Sequence, residues 1–529
     1  MRCISSNVIT NLPNVAFDVN FKQYSGYLNA GGDGNWKSFY WLLESQSDNS
    51  TDDPLLVWFS GGPGTSTVFL AFYEFGPFFV SRDGDGLNEN VFAWNKYSNL
   101  LIIDAPIGVG FSHDTRNFSN YATDDDITAI QNLNALKDFF QTDHPEYRQR
   151  EWFIGGVSYG GVYVPTLVER ILQSIGTNQF PNTKLQGFAL GNPSINQSIN
   201  INTVMLWHAY HGTIGIGKWK EMRSSCCGSA PAEECDFFQH ISLTTNSSNK
   251  YLGNRGLEAK DECGRLVIDT LNGPQSRDYY QDCYLDESDY ATQNYDGGTK
   301  QSAYPLNYDS TDNQWGYTCW APKKIERYLN KIEVQKALNV HGDWIESGST
   351  WKIYNPQMLL DYNPTLYTSN LFKQIFDHLN EFQGKVAKNF RILVYHGDLD
   401  TICNFLGGAQ YMEKVAEENS FVAGQRVAWK FRNQVAGFSQ RYDKTIGVGN
   451  RLSIDVLTVK GGLHTAARER PGPCLQMITN FLRGSANYSS SRNFDACPSQ
   501  RGNLNSAALK IVHIPMLTLF AIFCILLVQ

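Results

Sequence analysis

The pentapeptide Gly-Val-Ser-Tyr-Gly at residues 156–160 constrains the fold of this chain more than any other feature. It follows the apolar run 152–154 and precedes the apolar stretch 162–168, so the sequence predicts a strand, a tight turn and a helix. The glycines are needed because the turn is too sharp for larger side chains beside Ser158. Such a turn presents the serine hydroxyl at the end of a sheet, next to a helix N-terminus that favours developing negative charge. A purely structural serine is the alternative interpretation of the pentapeptide by itself.

Groups that could activate this serine follow later in the chain. A serine hydroxyl is a poor nucleophile unless a base takes its proton and a third group orients that base. The run 391–395 predicts a buried strand that leads to Asp400, and the run 454–459 predicts a strand that leads through two glycines to His464. Since an active site of this architecture collects its groups at the carboxyl ends of parallel strands, these residues and Ser158 are predicted to form a triad. Turn capping by Asp400 and an ordinary surface histidine at position 464 are the structural alternatives.

Four sequence blocks together resemble the serine carboxypeptidases, the family that includes cathepsin A and carboxypeptidase Y. The blocks are residues 55–64, 156–165, 397–404 and 459–464, and the flanking runs 21–28, 94–96 and 108–112 also look like the family. The resemblance covers roughly residues 8–485. It implies an α/β-hydrolase fold, in which a mostly parallel central sheet has helices on both faces and carries an inserted, disulfide-rich cap. It also implies release of C-terminal residues from peptides through an acyl-enzyme.

The resemblance implies a role for individual site residues. Ser158 matches the nucleophile, His464 the general base and Asp400 the acid of the triad. The backbone N–H groups of Gly62 and Tyr159 match the oxyanion hole. The glycines around position 62 fit this role, because the backbone there must approach the tetrahedral oxygen with no side chain in the way.

The predicted substrate pocket departs from the family. The family usually has Glu where Val157 stands and Asn where Ser60 stands; with a further Glu, matched by Glu74, these groups bind the substrate's C-terminal carboxylate. Gly61 and Cys403, the latter matching a buried family thiol, complete the predicted substrate-binding residues. In the family the two acids share a proton, which favours activity at low pH. We therefore expect weakened or altered exopeptidase activity with less dependence on acid.

Alternating β and α patterns predict the organisation of the chain. The predicted parts are a first core segment at 1–194, a cap insertion at 195–322, a second core segment at 323–486, a linker at 487–510 and a hydrophobic tail at 511–529. The predicted strands are 55–59, 100–104, 152–154, 185–190, 392–395 and 455–459. A helix is predicted to begin at 123–126, with a buried face formed by Ile127, Ile130, Leu133, Leu136 and Phe140.

Cysteines and glycosylation motifs indicate the secretory pathway, extracellular or lysosomal. The chain has 11 cysteines, and clustering of this kind favours an oxidising compartment. The cap cysteines are Cys226, Cys227, Cys235, Cys263, Cys283 and Cys319, for which about 15 pairings are open. The motifs for N-glycosylation lie at Asn49, Asn117, Asn196, Asn246 and Asn487. Residues 1–7 do not resemble a signal peptide, so we expect the N-terminus to be truncated.

The apolar C-terminal run 511–528 predicts membrane attachment, through a lipid anchor or a spanning segment, and a buried terminal helix is the alternative. The net charge of −8 argues against nucleic acid as a partner. No metal-ligand spacing stands out, so neither a metal nor another cofactor is predicted. The expected partners are peptide C-termini, and a homodimer is left open.

Three function classes remain open from the sequence. The first is a carboxypeptidase that acts at peptide C-termini. The second is an esterase or acyltransferase that uses the same triad, since carboxylate recognition is altered while the triad residues are present. The third is a non-catalytic binding protein that keeps the fold.

Overall fold

The computed structural model describes residues 7–118, 123–245, 250–272, 284–285, 299–300, 320–447, 449–492 and 494–495. The strands are β1 Gln23–Asn29, β2 Trp36–Leu43, β3 Leu55–Phe59, β4 Phe78–Val80, β5 Leu87–Glu89, β6 Asn99–Ile103, β7 His113–Asp114, β8 Trp152–Val157, β9 Leu185–Gly191, β10 Ile241–Thr244, β11 Lys250–Leu252, β12 Arg255–Ala259, β13 Tyr284–Leu285, β14 Thr299–Lys300, β15 Asn389–Gly397, β16 Val422–Ala423, β17 Val427–Phe431, β18 Gln434–Ile446 and β19 Asn450–Val459. The α-helices are α1 Thr67–Leu70, α2 Asp125–Asp138, α3 Gly160–Gly176, α4 Gln197–Tyr210, α5 Ile216–Cys226, α6 Glu262–Leu271, α7 Ala321–Leu329, α8 Ile332–Ala337, α9 Gly342–Glu346, α10 Pro356–Asp361, α11 Ser369–Glu381, α12 Phe405–Glu418, α13 Ala466–Glu469 and α14 Pro471–Leu482.

A 12-stranded central sheet organises the molecule, with the strand order β1-β2-β6-β3-β8-β9-β15-β19-β18-β16. Strands β7 and β17 pair with β2 and β18 at its two sides. The six strands from β6 to β19 in this order run parallel, while the strands outside them are antiparallel. The predicted mostly parallel sheet is therefore confirmed. Its parallel strands all end at the same edge, and this edge collects the site residues.

Helices cover both faces of the sheet, because alternate side chains of each buried strand point to opposite sides. In β3, Leu56 and Trp58 join one hydrophobic core, while Leu55, Val57 and Phe59 join the other. The first core is closed by α14. The second is closed by α2, α3 and α11. This arrangement explains why every residue of β3 and β6 is buried.

The region predicted to be the cap has its own small core. Helices α4 to α6 and the three-stranded sheet β10-β12-β11 enclose an apolar cluster that includes Met222, Phe237 and Val267. Two disulfides, Cys226–Cys263 and Cys227–Cys235, join its segments. The predicted disulfide-bonded character is confirmed for these four cysteines. Cys283 and Cys319 lie outside the described residues.

Helix α2 corrects the predicted buried face. Leu136 and Phe140 are buried as expected, but Ile127 and Leu133 are only half-buried and Ile130 is 41% exposed. The helix buries polar residues instead, among them Asp125 and Gln131. Gln131 accepts a hydrogen bond from the backbone N–H of Ile107, so tertiary hydrogen bonds as well as apolar packing orient this helix.

Within the part of the chain that the structure describes, no helix is both long and apolar enough to cross a membrane. The tail at 511–529 and Asn246 lie outside that part. Among the other predicted glycosylation sites, Asn49, Asn117 and Asn487 are exposed. Asn196 is half-buried, and its side chain caps α4 by accepting a hydrogen bond from the N–H of Ile199.

Candidate active site

Ser158 occupies the sharp turn between β8 and α3. Its φ of 59° lies in the left-handed region that non-glycine residues seldom adopt. Backbone hydrogen bonds hold this conformation: the Ser158 N–H donates to the carbonyl of Gly191 at 3.0 Å, and the Ser158 carbonyl accepts from the N–H groups of Gly161 and Ser194 at 2.9 and 2.8 Å. The strained serine at a strand–helix turn that the sequence predicted is therefore present, and Ser158 is half-buried.

The loops after β15 and β19 bring Asp400 and His464 together. These two strands are parallel neighbours, so the chain leaves both at the same edge of the sheet. The Nδ1 atom of His464 lies 2.8 Å from Oδ2 of Asp400. Oδ2 also accepts hydrogen bonds from Asn192 Nδ2 at 2.7 Å and from the Cys403 N–H at 3.2 Å, while Oδ1 accepts from the Ile402 N–H at 2.8 Å.

This hydrogen-bonding keeps the Asp400 carboxylate ionised. Burial by itself raises the pKa of Asp400, but the charge and hydrogen bond of His464, with the bonds from Ile402 and Asn192, outweigh burial and lower it. A buried carboxylate next to Nδ1 favours the His464 tautomer with the proton on that nitrogen. The Nε2 atom is then left with a lone pair that can accept a proton.

Asn192 is a site residue that the sequence reasoning missed. It follows β9 in a left-handed conformation with φ of 41°. Its N–H donates to the carbonyl of Tyr395 at 2.7 Å, and its Oδ1 accepts from the N–H of Gly397 at 3.3 Å. The signal was available, because Asn192 directly follows a predicted buried strand, as does the segment that leads to Asp400.

The glycine turn after β3 lies directly against the serine turn. A Cβ atom at Gly61 would lie 2.6 Å from the amide nitrogen of Tyr159 and 2.7 Å from Cβ of Ser158, so only glycine fits there. Gly62 has a φ of 114°, which also favours glycine. The N–H of Tyr159 precedes α3, at the end where backbone donors lack intrahelical partners. The structure thus places both predicted oxyanion segments beside Ser158.

Two predicted pocket residues, Ser60 and Val157, are buried beside this turn. The Ser60 N–H donates to Oγ1 of Thr67 at 3.0 Å. Val157 belongs to the apolar core that also contains Trp58. Because its side chain has no donor or acceptor, Val157 leaves the residue before Ser158 without hydrogen-bonding capacity.

Glu74 is a buried acid in the π-helical segment Ala71–Phe75. Its Oε1 accepts from the N–H of Ala467 at 3.4 Å, and its Oε2 has no hydrogen-bond partner among the described residues. Burial raises the pKa of Glu74 to about 8, although the Ala467 N–H and the Arg468 charge oppose this. Burial thus favours the neutral form of this carboxyl, which can donate a hydrogen bond.

Two further titratable groups lie close to Glu74. Burial is the main cause that raises the pKa of the Tyr395 hydroxyl and of the Cys474 thiol well above their usual values. The negative charge that Glu74 carries when it is ionised raises both further. Among the described cysteines, Cys403 and Cys474 are buried and form no disulfide. The sequence predicted a buried Cys403 thiol near the site, and the contact of its N–H with Asp400 places it there.

A serine on a strained strand–helix turn, with an acid and a histidine supplied by later parallel strands, is typical of α/β-hydrolases. The fold and the site thus define the class of this chain. The family model for the serine carboxypeptidases matches residues 13–484, and the chain belongs to that family. The family predicted from the four sequence blocks is confirmed, and the chain is a serine hydrolase of this type.

Relatives extend over nearly the full chain. Serine carboxypeptidase ctsa-3.1 of Caenorhabditis elegans is 36% identical, covering 92% of this chain and 91% of the relative. The lysosomal protective protein of Mus musculus is 30% identical, covering 89% of this chain and 92% of the relative. The crystal structure of Kex1, a prohormone-processing carboxypeptidase from Saccharomyces cerevisiae, superposes with a TM-score of 0.60 at 16% identity, over 92% of this chain and 97% of that one. At this identity the superposition supports the fold alone.

Proposed function

We propose that this chain releases C-terminal residues from peptides through an acyl-enzyme formed on Ser158. The observation that carries the proposal is the 2.8 Å contact between His464 Nδ1 and Asp400 Oδ2, at the sheet edge where the Ser158 turn lies. An ionised acid that orients a histidine beside a strained serine is the arrangement that nucleophilic acyl transfer needs.

In this mechanism the Ser158 hydroxyl attacks the carbonyl carbon of the last peptide bond while His464 Nε2 takes its proton. The oxyanion that forms accepts hydrogen bonds from the N–H groups of Gly62 and Tyr159, each worth about 10²–10³ in rate. His464 then protonates the departing amine, so the C–N bond breaks and leaves an ester on Ser158. Water, deprotonated by His464, hydrolyses the ester and regenerates the hydroxyl.

Recognition of the substrate's terminal carboxylate depends on one acid in this proposal. A neutral Glu74 carboxyl can donate a hydrogen bond to a carboxylate, whereas Val157 can offer none. Each lost bond to a charged group weakens binding by about 1.5–3 kcal/mol. We therefore expect a raised KM for peptides with a free C-terminus. We also expect activity that persists toward neutral pH and falls as Glu74 ionises near pH 8.

Hydrolysis of esters or acyl transfer is the second candidate. The observation that favours it is that Val157, directly before Ser158, packs in the apolar core, so a carboxylate buried beside it would be costly whereas a neutral leaving group would not. Both candidates use the same Ser158 chemistry and differ only in the leaving group.

Hydrolysis of a blocked dipeptide and of its matching ester, from acid to neutral pH, separates the candidates. We expect wild type to release the C-terminal residue, and Ser158→Ala to lose activity by about 10³-fold or more. Ser224→Ala, an exposed serine in α5, is the matched control and should keep full activity. Ester turnover without peptide turnover would favour the second candidate.

Absence of both activities, with no labelling of Ser158 by a serine-directed phosphonate, would contradict the proposal and favour a binding protein. Labelling without turnover would instead locate the defect in substrate recognition.

We infer a location in the secretory pathway, extracellular or lysosomal. Two disulfides and exposed glycosylation motifs support it, and one relative is named a lysosomal protein. This proposal also includes N-linked glycans at the predicted asparagines, membrane attachment through the tail at 511–529, a homodimer, and the domain boundaries given above.

A further inference from the structure

We propose that His113, His341 and Asp343 form a binding site for a divalent transition metal of the zinc class. His113 lies on β7 at the side of the central sheet, His341 directly precedes α9, and Asp343 lies in its first turn. One ligand atom from each residue lies within 4.8 Å of the other two. The site is separate from the triad and needs no residue of it.

The spacing of His113 and Asp343 is compatible with a shared metal ion. The Nδ1 atom of His113 lies 3.0 Å from the carbonyl oxygen of Phe111, which can only accept, so Nδ1 carries the ring proton. Nε2 faces Oδ2 of Asp343, 3.4 Å away, and can bind a metal when it carries no proton. Two ligands at about 2.0–2.1 Å from a tetrahedral ion lie about 3.3–3.4 Å apart. A metal ion between Nε2 and Oδ2 would match this distance and replace the direct contact of the two groups.

The two imidazole rings are held in place by neighbouring aromatic rings. The ring of Phe118 stacks on His113 at 4.9 Å, and the buried ring of Tyr27 meets its edge at 5.2 Å. Tyr27 also packs against the ring of His341 at 4.1 Å. Metal-binding histidines usually donate their second ring N–H to a carbonyl or carboxylate, which fixes the orientation of the ring. The carbonyl of Phe111 accepts such a bond from His113.

The ligand set indicates the class of metal. Two imidazoles and one carboxylate suit zinc, cobalt or nickel, whereas calcium and magnesium prefer oxygen ligands. The His113 side chain is 1% exposed, but those of His341 and Asp343 are 38% and 43% exposed. The cluster is therefore open on one side, where water can supply the fourth ligand.

Metal binding would fasten α9 and the segment after it to the sheet. That segment contacts the glycine turn beside Ser158: the Ser66 N–H donates to the carbonyl of Ile353 at 2.8 Å, and the Asn355 N–H donates to the carbonyl of Gly64 at 3.0 Å. The proposed site therefore has a structural role, and its loading should raise thermal stability.

A second cluster, formed by His240, Asp261 and Cys263, provides a control. Cys263 is bonded to Cys226, so it has no thiolate to offer. Only His240 and Asp261 then remain, and the 2.7 Å between His240 Nδ1 and Asp261 Oδ2 is too short for two ligands of one tetrahedral ion. This cluster should not bind the metal.

The experiment titrates the untagged, chelator-treated full chain with zinc by calorimetry, and with cobalt by visible absorption. We expect one equivalent to bind, with the d–d bands of tetrahedral cobalt, and zinc to raise the thermal midpoint. His341→Gln, at a half-buried position, and Asp343→Asn, at an exposed one, should each weaken binding by about tenfold or more and remove the cobalt bands. His240→Gln should bind as wild type does.

Three results would overturn the proposal. The first is no zinc binding by wild type at about a hundredfold excess. The second is equal affinity of wild type, His341→Gln and Asp343→Asn, which would indicate zinc at another histidine such as His464. The third is loss of binding in His240→Gln with retention in the other two variants.

Discussion

Asp400 accepts hydrogen bonds from four groups: the His464 ring, the Asn192 amide and the backbone N–H groups of Ile402 and Cys403. Together they outweigh the burial that would otherwise raise its pKa. The charge that orients His464 is therefore maintained by His464 itself and by hydrogen bonds from Asn192 and the loop after β15. Asn192 is the member of this set that a single substitution can remove cleanly.

Asn192→Gly should lower kcat/KM by about tenfold to a hundredfold, because a hydrogen bond to a charged group is worth about 1.5–3 kcal/mol. Glycine accepts the left-handed backbone of this position, so the change removes the amide without adding strain. Asn178→Gly is the matched control, since Asn178 is exposed and has a φ of 59°. Kinetics on the blocked dipeptide measure the effect, and equal losses in both variants would contradict the positioning role of Asn192.

At the scale of elements, α2 depends on a buried acid in its first turn. Asp125 accepts hydrogen bonds from the hydroxyls of Tyr159 and Tyr362 at 2.9 and 2.8 Å and from the Thr365 N–H at 2.6 Å. Burial raises its pKa despite these bonds. One carboxyl thus connects α2 to the start of α3 and to the segment after α10.

Asp125→Ala should destabilise the protein by about 2–4 kcal/mol, because it leaves two buried hydroxyls and an N–H without their acceptor. Asp126→Ala, in the same turn, removes only an exposed ion pair with Arg170 and should cost about 0–1 kcal/mol. Urea unfolding followed by tryptophan fluorescence compares the two. Similar losses would mean that the charge at the helix N-terminus, rather than the buried network, supports α2.

The position, ends and buried faces of individual strands and helices could be predicted from the sequence to different degrees. The centres of the parallel strands were predicted, because a buried strand is a continuous apolar run. The ends were predicted unevenly: β3 has the predicted bounds 55–59, whereas β15 spans nine residues, Asn389–Gly397, and only its centre was predicted. The face of α2 was predicted incorrectly in part, because its partners are polar and come from segments that local periodicity cannot reveal.

For the whole molecule, the neutral Glu74 carboxyl links stability to pH. Its pKa is about 8 in the folded state, against 4.5 for an ordinary exposed glutamate. Between these values the folded protein holds a proton that the unfolded chain has released, so this group makes stability fall as pH rises. The slope is about 1.4 kcal/mol per pH unit at most. Below pH 4.5 the contribution of Glu74 to the free energy of unfolding is fully present, because both the folded and the unfolded states hold the proton.

Glu74→Gln should therefore flatten the decline in stability between pH 4.5 and 8, and the gain over wild type should grow with pH. Thermal midpoints of both proteins across this range measure the difference. Glu333→Gln, an exposed carboxyl in α8, controls for the substitution itself. A constant offset between Glu74→Gln and wild type would show that Glu74 is ionised throughout.

The sequence by itself determined the class and the family of this protein. Short segments of sequence predict the serine turn and the apolar strands, because their local geometry depends on neighbouring residues. The order of Ser158, Asp400 and His464 along the chain can also be read directly from the sequence. Only the tertiary structure decided which groups surround them. Asn192 reaches Asp400 across 208 residues of chain, and His113 reaches Asp343 across 230. Contacts at such separations depend on how strands are ordered in the sheet, and that order is set by packing of the whole core rather than by any one segment.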